Sequence, residues 1–305
     1  MFEKDTMLNQ AGRSCPIRYR YGAHAVGQSP VTVCNTLYVI GGLYGNPFAL
    51  QEVLRMASAE PGPVRLCFNG DFNWFNTTDE AFVGINAQVL QHDCVLGNVE
   101  AELGEPLDAP DCGCAYPDHV DQGVVDRSNL IHTALKRVAQ RNPDWIAQLN
   151  AQPFYRRYQV GKLRVGVVHG DSESLAGWRF DPSHFDDPRE ALWRAAQFMT
   201  AGVQVFASSH TCTAGFLNEP AGLISNNGAA GMPSVAGNTA GMITRIGLQP
   251  WTEGAAVARV RRDGVWCEQL PVAYDQAQWL SLFEQWWPAG SAAHLSYFRR
   301  IAEGV

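Results

Sequence analysis

The chain has 305 residues and a formal net charge of −7, with 46% hydrophobic, 10% aromatic and 17% charged residues. This composition supplies a sizeable core and excludes disorder, and the acidic balance argues against a dedicated nucleic-acid binder, whose surface is basic. Charge is also unevenly spread: 31 residues between Arg20 and Glu52, and 25 between Glu219 and Arg245, include no Asp, Glu, Lys or Arg. Gly, Pro and Asn interrupt both runs, so neither is the stretch of roughly 20 apolar residues that a membrane span requires.

Residues 1–34 read as an irregular N-terminal arm, without the apolar segment of a secretory signal. Leu37 to Ile40 is a short apolar run closed by Gly41-Gly42, hence a buried strand. Asn46 followed by Pro47 predicts a helix cap and first turn, with Leu50, Val53, Leu54 and Ala57 at helical spacing. Val64 to Phe68 is the next strand, Ala81 to Gln91 a helix and Cys94 to Leu96 a third strand. Residues 101–127, rich in Pro, Asp and Gly, read as a long loop. A helix broken at Pro143 is expected over Ser128–Asn150, then a strand at Leu163–Val168, a helix at Arg189–Thr200 and a strand at Val203–Phe206. Leu223-Ile224, Ala255–Arg261 and Val265–Leu270 look like strands, the last two joined by a turn at Arg262-Asp263-Gly264. Two helices close the chain, near Asp275–Trp287 and Ser291–Ala302. No linker divides the chain, so a single α/β domain is expected over 1–305, with its core at 35–274 and C-terminal helices at 275–305.

The eight cysteines are scattered, several inside apolar runs, and read as buried thiols of a reducing, cytoplasmic compartment. Cys112-x-Cys114 with His119 misses the usual zinc spacings and reads as a loop with free thiols. The tail tryptophans Trp279, Trp286 and Trp287 cap the core or form a homo-oligomer interface. The chain has no Walker Gly-Lys-Ser/Thr, no Gly-x-Ser-x-Gly elbow and no Gly-x-Gly-x-x-Gly after its first strand.

In α/β folds ligands gather at loops that follow strand C-termini. Five such loops offer Asp71, Asn98, His169, His210 and Cys212: carboxylate, amide oxygen, two imidazoles and a thiol. Mixed N/O donors suit divalent Mn, Fe or Zn, and a thiolate favours the softer Zn or Fe. Singly, each residue has a plainer role as turn former, helix cap or buried thiol. Their order, each after a strand, is the informative pattern.

That order resembles the calcineurin-like metallophosphoesterases. Gly70-Asp71 matches their Gly-Asp-x-x-Asp, Gly97-Asn98-Val99-Glu100 their Gly-Asn-His-Glu/Asp, and His169-Gly170-Asp171 the fourth motif. Ser209-His210-Thr211-Cys212 stands where Gly-His-x-His is usual, and Asn226 to Pro233 looks like the Asn-Gly-rich segment that follows. The resemblance spans roughly residues 37–275 and implies a four-layer α/β/β/α sandwich of two mixed sheets. It also implies a divalent transition metal, Mn, Fe or Zn, as one or two ions, and a small-molecule phosphate ester or a phosphoprotein as substrate. Carried over by position, one metal set is complete: Asp71, Asn98, His169 and His210. The other is damaged, because Gly42, Tyr44 and Cys212 replace an Asp and two His. Val99 replaces the third-motif His, and Trp74 the second carboxylate of the second motif. Asn98 is expected to touch the phosphoryl group as well, and Tyr44 to pack against its neighbouring loop and face substrate.

Three outcomes stay open: one metal on the intact set, a second site rebuilt with Cys212 and Tyr44, or a fold that only binds. The leading expectation is a metal-dependent phosphoesterase. The alternative is a catalytically inactive binding or scaffold protein.

Overall fold

The computed structural model describes residues 11–107, 111–235 and 237–304. Its first half runs α1 (Gly22–Gln28), β1 (Val31–Cys34), β2 (Thr36–Ile40), α2 (Pro47–Ser58), β3 (Val64–Asn69), α3 (Asp79–Val89), β4 (Asp93–Val95), α4 (Asn98–Glu102), α5 (Gln122–Arg141) and α6 (Pro143–Asn150). The second half runs β5 (Tyr155–Val160), β6 (Leu163–Val168), α7 (Pro188–Ala201), β7 (Val205–Ser208), β8 (Ala214–Asn218), β9 (Leu223–Asn227), β10 (Gly241–Gly247), β11 (Ala258–Arg262), β12 (Val265–Val272), α8 (Gln276–Trp286) and α9 (Ala292–Glu303).

The strands form two six-stranded mixed sheets, ordered β1-β5-β6-β7-β9-β8 and β11-β12-β10-β2-β3-β4. Alternation along each strand sorts its side chains into layers. Leu37 and Val39 of β2 point between the sheets, where they meet Val165 and Val167 of β6. Tyr38 and Ile40 point the other way, into a core built with α2, α3, α5, α8 and α9. On the far face of the first sheet, Val168, Phe206 and Ile224 pack against α1 and α7 through Ala23, Val26 and Phe198. The result is the expected α/β/β/α sandwich, with a buried apolar layer between the sheets.

Local signals hold where they are strong. The Asn46 side chain accepts from the Phe48 and Ala49 amides and starts α2. Asp263 and Gly264 both take positive φ, 47° and 86°, the requirement of a tight type I′ hairpin between β11 and β12. Trp279 is fully buried, so the C-terminal helices cap the core.

Other expectations need correction. Residues 11–34 are not an irregular arm: α1 packs on α7, and β1 pairs in parallel with β5 at the edge of the first sheet. The rest of that expected arm, residues 1–10, lies outside the described residues. The expected loop at 101–127 is shorter, because α5 begins at Gln122; residues 108–110 of it are also outside the described residues. Strands β5, β8 and β10 were not anticipated. Among the described residues, no helix is long and apolar enough to cross a membrane.

Candidate metal centre

Four loops bring their side chains to one end of both sheets. Asp71 follows β3 and Asn98 follows β4, in the second sheet; His169 follows β6 and His210 follows β7, in the first. All four are buried. Asp71, His169 and His210 each offer a ligand atom, and these atoms lie within 4.8 Å of one another. The His169 Nε2 is 3.3 Å from Asp71 Oδ2, 3.2 Å from Asn98 Oδ1 and 3.2 Å from His210 Nδ1.

The other polar atom of each residue is tied to backbone. His169 Nδ1–H donates to the Asn69 carbonyl (2.8 Å), and His210 Nε2–H donates to the Cys114 carbonyl (3.0 Å). The Asn98 amide donates to the Cys112 carbonyl (2.8 Å), and Asp71 Oδ1 accepts from the Val99 amide (3.2 Å). These bonds fix both tautomers, since carbonyls only accept. With neutral rings, the four inward atoms are all acceptors: two imidazole lone pairs, an amide oxygen and a carboxylate oxygen. Acceptors at this spacing need a cation among them, and an outer shell that orients each ligand is what a metal site requires. The donor set therefore fits a divalent transition ion. Burial works against a charged His169 ring, but the Asp71 charge and hydrogen bond hold His169 above its ordinary value. Burial, with His169 alongside, pushes His210 down to about 3.

Glu100 is the residue whose role the sequence reading missed, although it stands in the quoted third motif. Its buried carboxylate accepts from the backbone amides of Asp71 (2.8 Å), Phe72 (3.1 Å), Asn73 (3.1 Å) and Gly97 (3.4 Å), and from the Asn73 side chain (3.3 Å). It clamps the turn that carries Asp71, which sits at φ 54°. Burial and the Asp71 charge push Glu100 up to about 7, against those amide donors. The turn is also closed by glycine: a Cβ on Gly97 would lie 2.2 Å from Asp71 Oδ1, and one on Gly70 2.6 Å from His169 Nδ1.

The remaining expected residues lie beside this group and take a different arrangement. Tyr44 Oη and Cys212 Sγ share a hydrogen bond at 2.6 Å. Burial pushes both the phenol and the thiol up, so both are neutral. Tyr44 (φ 54°) and Cys212 (φ 58°) are both left-handed, as Asp71 is, and such strain clusters at functional sites. A Cβ on Gly42 would touch the Tyr44 ring at 3.0 Å, so that ring occupies the space in front of Gly42. Val99 and Trp74 are buried; the Val99 carbonyl accepts from His132 Nε2 at 3.0 Å, and Trp74 packs its ring 6.3 Å from that of His132.

A cavity of about 180 Å³ opens beside Asp71, Asn98 and His210 and is also lined by Tyr44, Cys212 and Arg300. Arg300, on α9, reaches over to donate to the carbonyls of Cys212 and Pro233, both at 2.6 Å. A wider surface groove of about 1050 Å³ lies around Arg18, His24 and Arg156 and includes none of the ligand residues. Chemistry therefore favours the smaller cavity.

No family model matches the sequence, and no curated protein does. Solved structures do. A metallophosphoesterase from Sphaerobacter thermophilus is 16% identical with a TM-score of 0.52, over 88% of this chain and 100% of its own. A hypothetical protein from Pyrococcus horikoshii is 14% identical with a TM-score of 0.59, over 90% and 99%. At these identities the likeness is one of fold. The chain is built on the metallophosphoesterase fold, as the order of its motifs implied.

Proposed function

We propose that the chain is a phosphoric ester hydrolase that works with one divalent transition metal, Mn, Fe or Zn, held by Asp71, Asn98, His169 and His210. The observation that carries this reading is the convergence of four acceptor atoms whose partner atoms are each fixed to backbone. A divalent ion bound there supplies Lewis acidity toward a phosphoryl oxygen and acidifies water. The chain's own part is to hold the four donors still and dry. His169 and His210 keep their protons on the carbonyl side, so each turns a lone pair inward. Glu100 fixes the Asp71 turn. Asn98 stands at the cavity wall, where it also meets the phosphoryl group. Tyr44 lines the same cavity with its hydroxyl already engaged by Cys212, so it offers its ring to the substrate, a small-molecule phosphate ester or a phosphoprotein.

A single ion is proposed because the Tyr44–Cys212 pair is hydrogen-bonded to itself, neutral and outside the acceptor group. Metal analysis of the purified protein, with turnover of a generic phosphodiester and phosphomonoester, tests the reading. One equivalent of metal and metal-dependent turnover are expected. No bound metal, and no activity with added Mn, Fe or Zn, sinks it. One observation favours a second reading, a non-catalytic binding protein: Val99 puts an apolar side chain beside Asn98, in the motif position where a His would stand. Stoichiometric metal without turnover of any ester supports that reading.

A further inference from the structure

We infer that the ester taken at this site is an aryl phosphate, with one aromatic ring seated beside the acceptor group. The inference rests on the hydrolase reading above and names its substrate class. Five aromatic side chains line the cavity, Tyr44 and Trp74, which are buried, and Tyr116, Trp178 and Tyr297, which are half-buried; Val99 and Val124 add apolar surface. The volume is about 180 Å³, the size of a single ring; an apolar cavity of about 150 Å³ holds benzene. Trp178 stands edge-on to His210, with ring centroids 5.1 Å apart, and 5.8 Å from Tyr116. An aromatic wall therefore begins at a ligand residue.

The polar ends of these rings are mostly committed to protein. Tyr44 is bonded to Cys212, Tyr116 to Ser128 Oγ at 2.9 Å, and Trp178 Nε1 to the Cys114 carbonyl at 3.0 Å. Trp74 Nε1 faces the Tyr297 oxygen, so it too has a protein neighbour to donate to. A polyol would lose its water here and regain few hydrogen bonds, whereas a ring meets faces and edges suited to it.

The leaving group points the same way. In the hydrolysis, water oxygen bonds to phosphorus as the bond from phosphorus to the ester oxygen breaks. That oxygen keeps the electron pair. An aryl phosphate dianion and water thus give aryloxide and dihydrogen phosphate. Val99 has no proton to give, and the N–H groups of His169 and His210 face away, toward Asn69 and Cys114. The ester oxygen leaves as an anion, which suits a phenol, with a pKa of about 10. It does not suit an alcohol, whose pKa is near the roughly 15.7 of water.

Binding and turnover together test this on the metal-loaded, full-length protein. Calorimetric titration is expected to show phenylphosphonate binding at least about tenfold more tightly than methylphosphonate. Trp178→Leu should remove most of that difference, and Trp178→Phe should restore it; circular dichroism checks that both variants fold. In turnover, kcat/KM should fall steeply across substituted phenyl phosphates as leaving-group pKa rises, with glycerol phosphate at least about a hundredfold slower than phenyl phosphate. Tyr297→Phe should leave that slope unchanged. Equal affinity for the two phosphonates, or no binding of either, overturns the inference, as does a Tyr297→Phe variant with a steeper slope. Comparable turnover of glycerol and phenyl phosphates overturns the aryl assignment while the hydrolase reading stands. Phenyl-selective binding without turnover of any ester leaves the aromatic pocket in place and removes the hydrolase.

Discussion

Asp71, Asn98, His169 and His210 meet through atoms that all accept hydrogen bonds, whereas Tyr44 and Cys212, on neighbouring loops, meet through atoms that both donate and accept. The first group turns four acceptors toward one another, the arrangement a cation would complete. The second is complete as it stands, because a phenol and a thiol satisfy each other at 2.6 Å. Position in the motif order alone would make both groups ligands. The difference teaches that a candidate metal site is recognised by what its donors lack, and that Tyr44 and Cys212 satisfy each other by packing.

The sharpest way to break this contrast is His169→Ala. It removes the atom on which the other three converge and should abolish stoichiometric metal, with kcat/KM falling by about a hundredfold or more. Metal retained at one equivalent would show that the ligands are elsewhere. Glu100→Gln comes next. It leaves every ligand in place but weakens the clamp on the Asp71 turn, so metal affinity should fall by about 10–100-fold, read by competition with a chelator. Asp93 sharpens the contrast from outside the site. Like Asp71 it is a buried carboxylate between the sheets, but protein donors complete it: Arg65 at 2.5 Å, Tyr158 at 2.9 Å and Arg156 at 3.7 Å. Burial alone would raise its pKa, and the Arg65 and Tyr158 bonds with the Arg156 charge hold it below the ordinary carboxylate value. Its stabilisation is therefore present above the unfolded pKa of about 4 and lost as pH falls through the lower folded value. Asp93→Asn should cost about 1–3 kcal/mol at neutral pH and flatten the acid limb of the stability profile. The smallest effects belong to the closed half: Tyr44→Phe and Cys212→Ala should each cost about 1 kcal/mol in chemical denaturation and leave metal stoichiometry unchanged. A loss of metal in Cys212→Ala would return the thiol to the ligand set.

Much of this was legible in the sequence wherever the signal is local. The apolar runs of β2, β3 and β6 end at glycine, asparagine or histidine, and that punctuation placed the strands and two of the four candidate ligands, Asp71 and His169. The illegible strands depend on distant partners. Tyr155–Val160 carries two arginines and reads as polar, yet Arg156 donates to the Cys94 carbonyl and Arg157 to the Ser29 carbonyl. Arg245 in β10 is fully buried because Glu60 and Glu268 both reach it, from 185 residues before and 23 after. The Tyr44–Cys212 bond spans 168 residues, and no spacing rule foretells it. Glu100 was in plain view, but its function is to collect amides from the turn after β3, which becomes visible only when β3 and β4 lie side by side.

The division of the four candidate ligands between two sheets has a thermodynamic side. Asp71 and Asn98 arrive with the second sheet, His169 and His210 with the first. An ion bound by all four is a non-covalent staple across the sandwich, and it binds the docked state alone. By mass action, free metal at about 100 times its dissociation constant adds about 2.7 kcal/mol to the stability of the native state. Under the proposed metal reading, the cohesion of the two layers at this end is a property of the solution as much as of the chain, rising and falling with the metal supply around it.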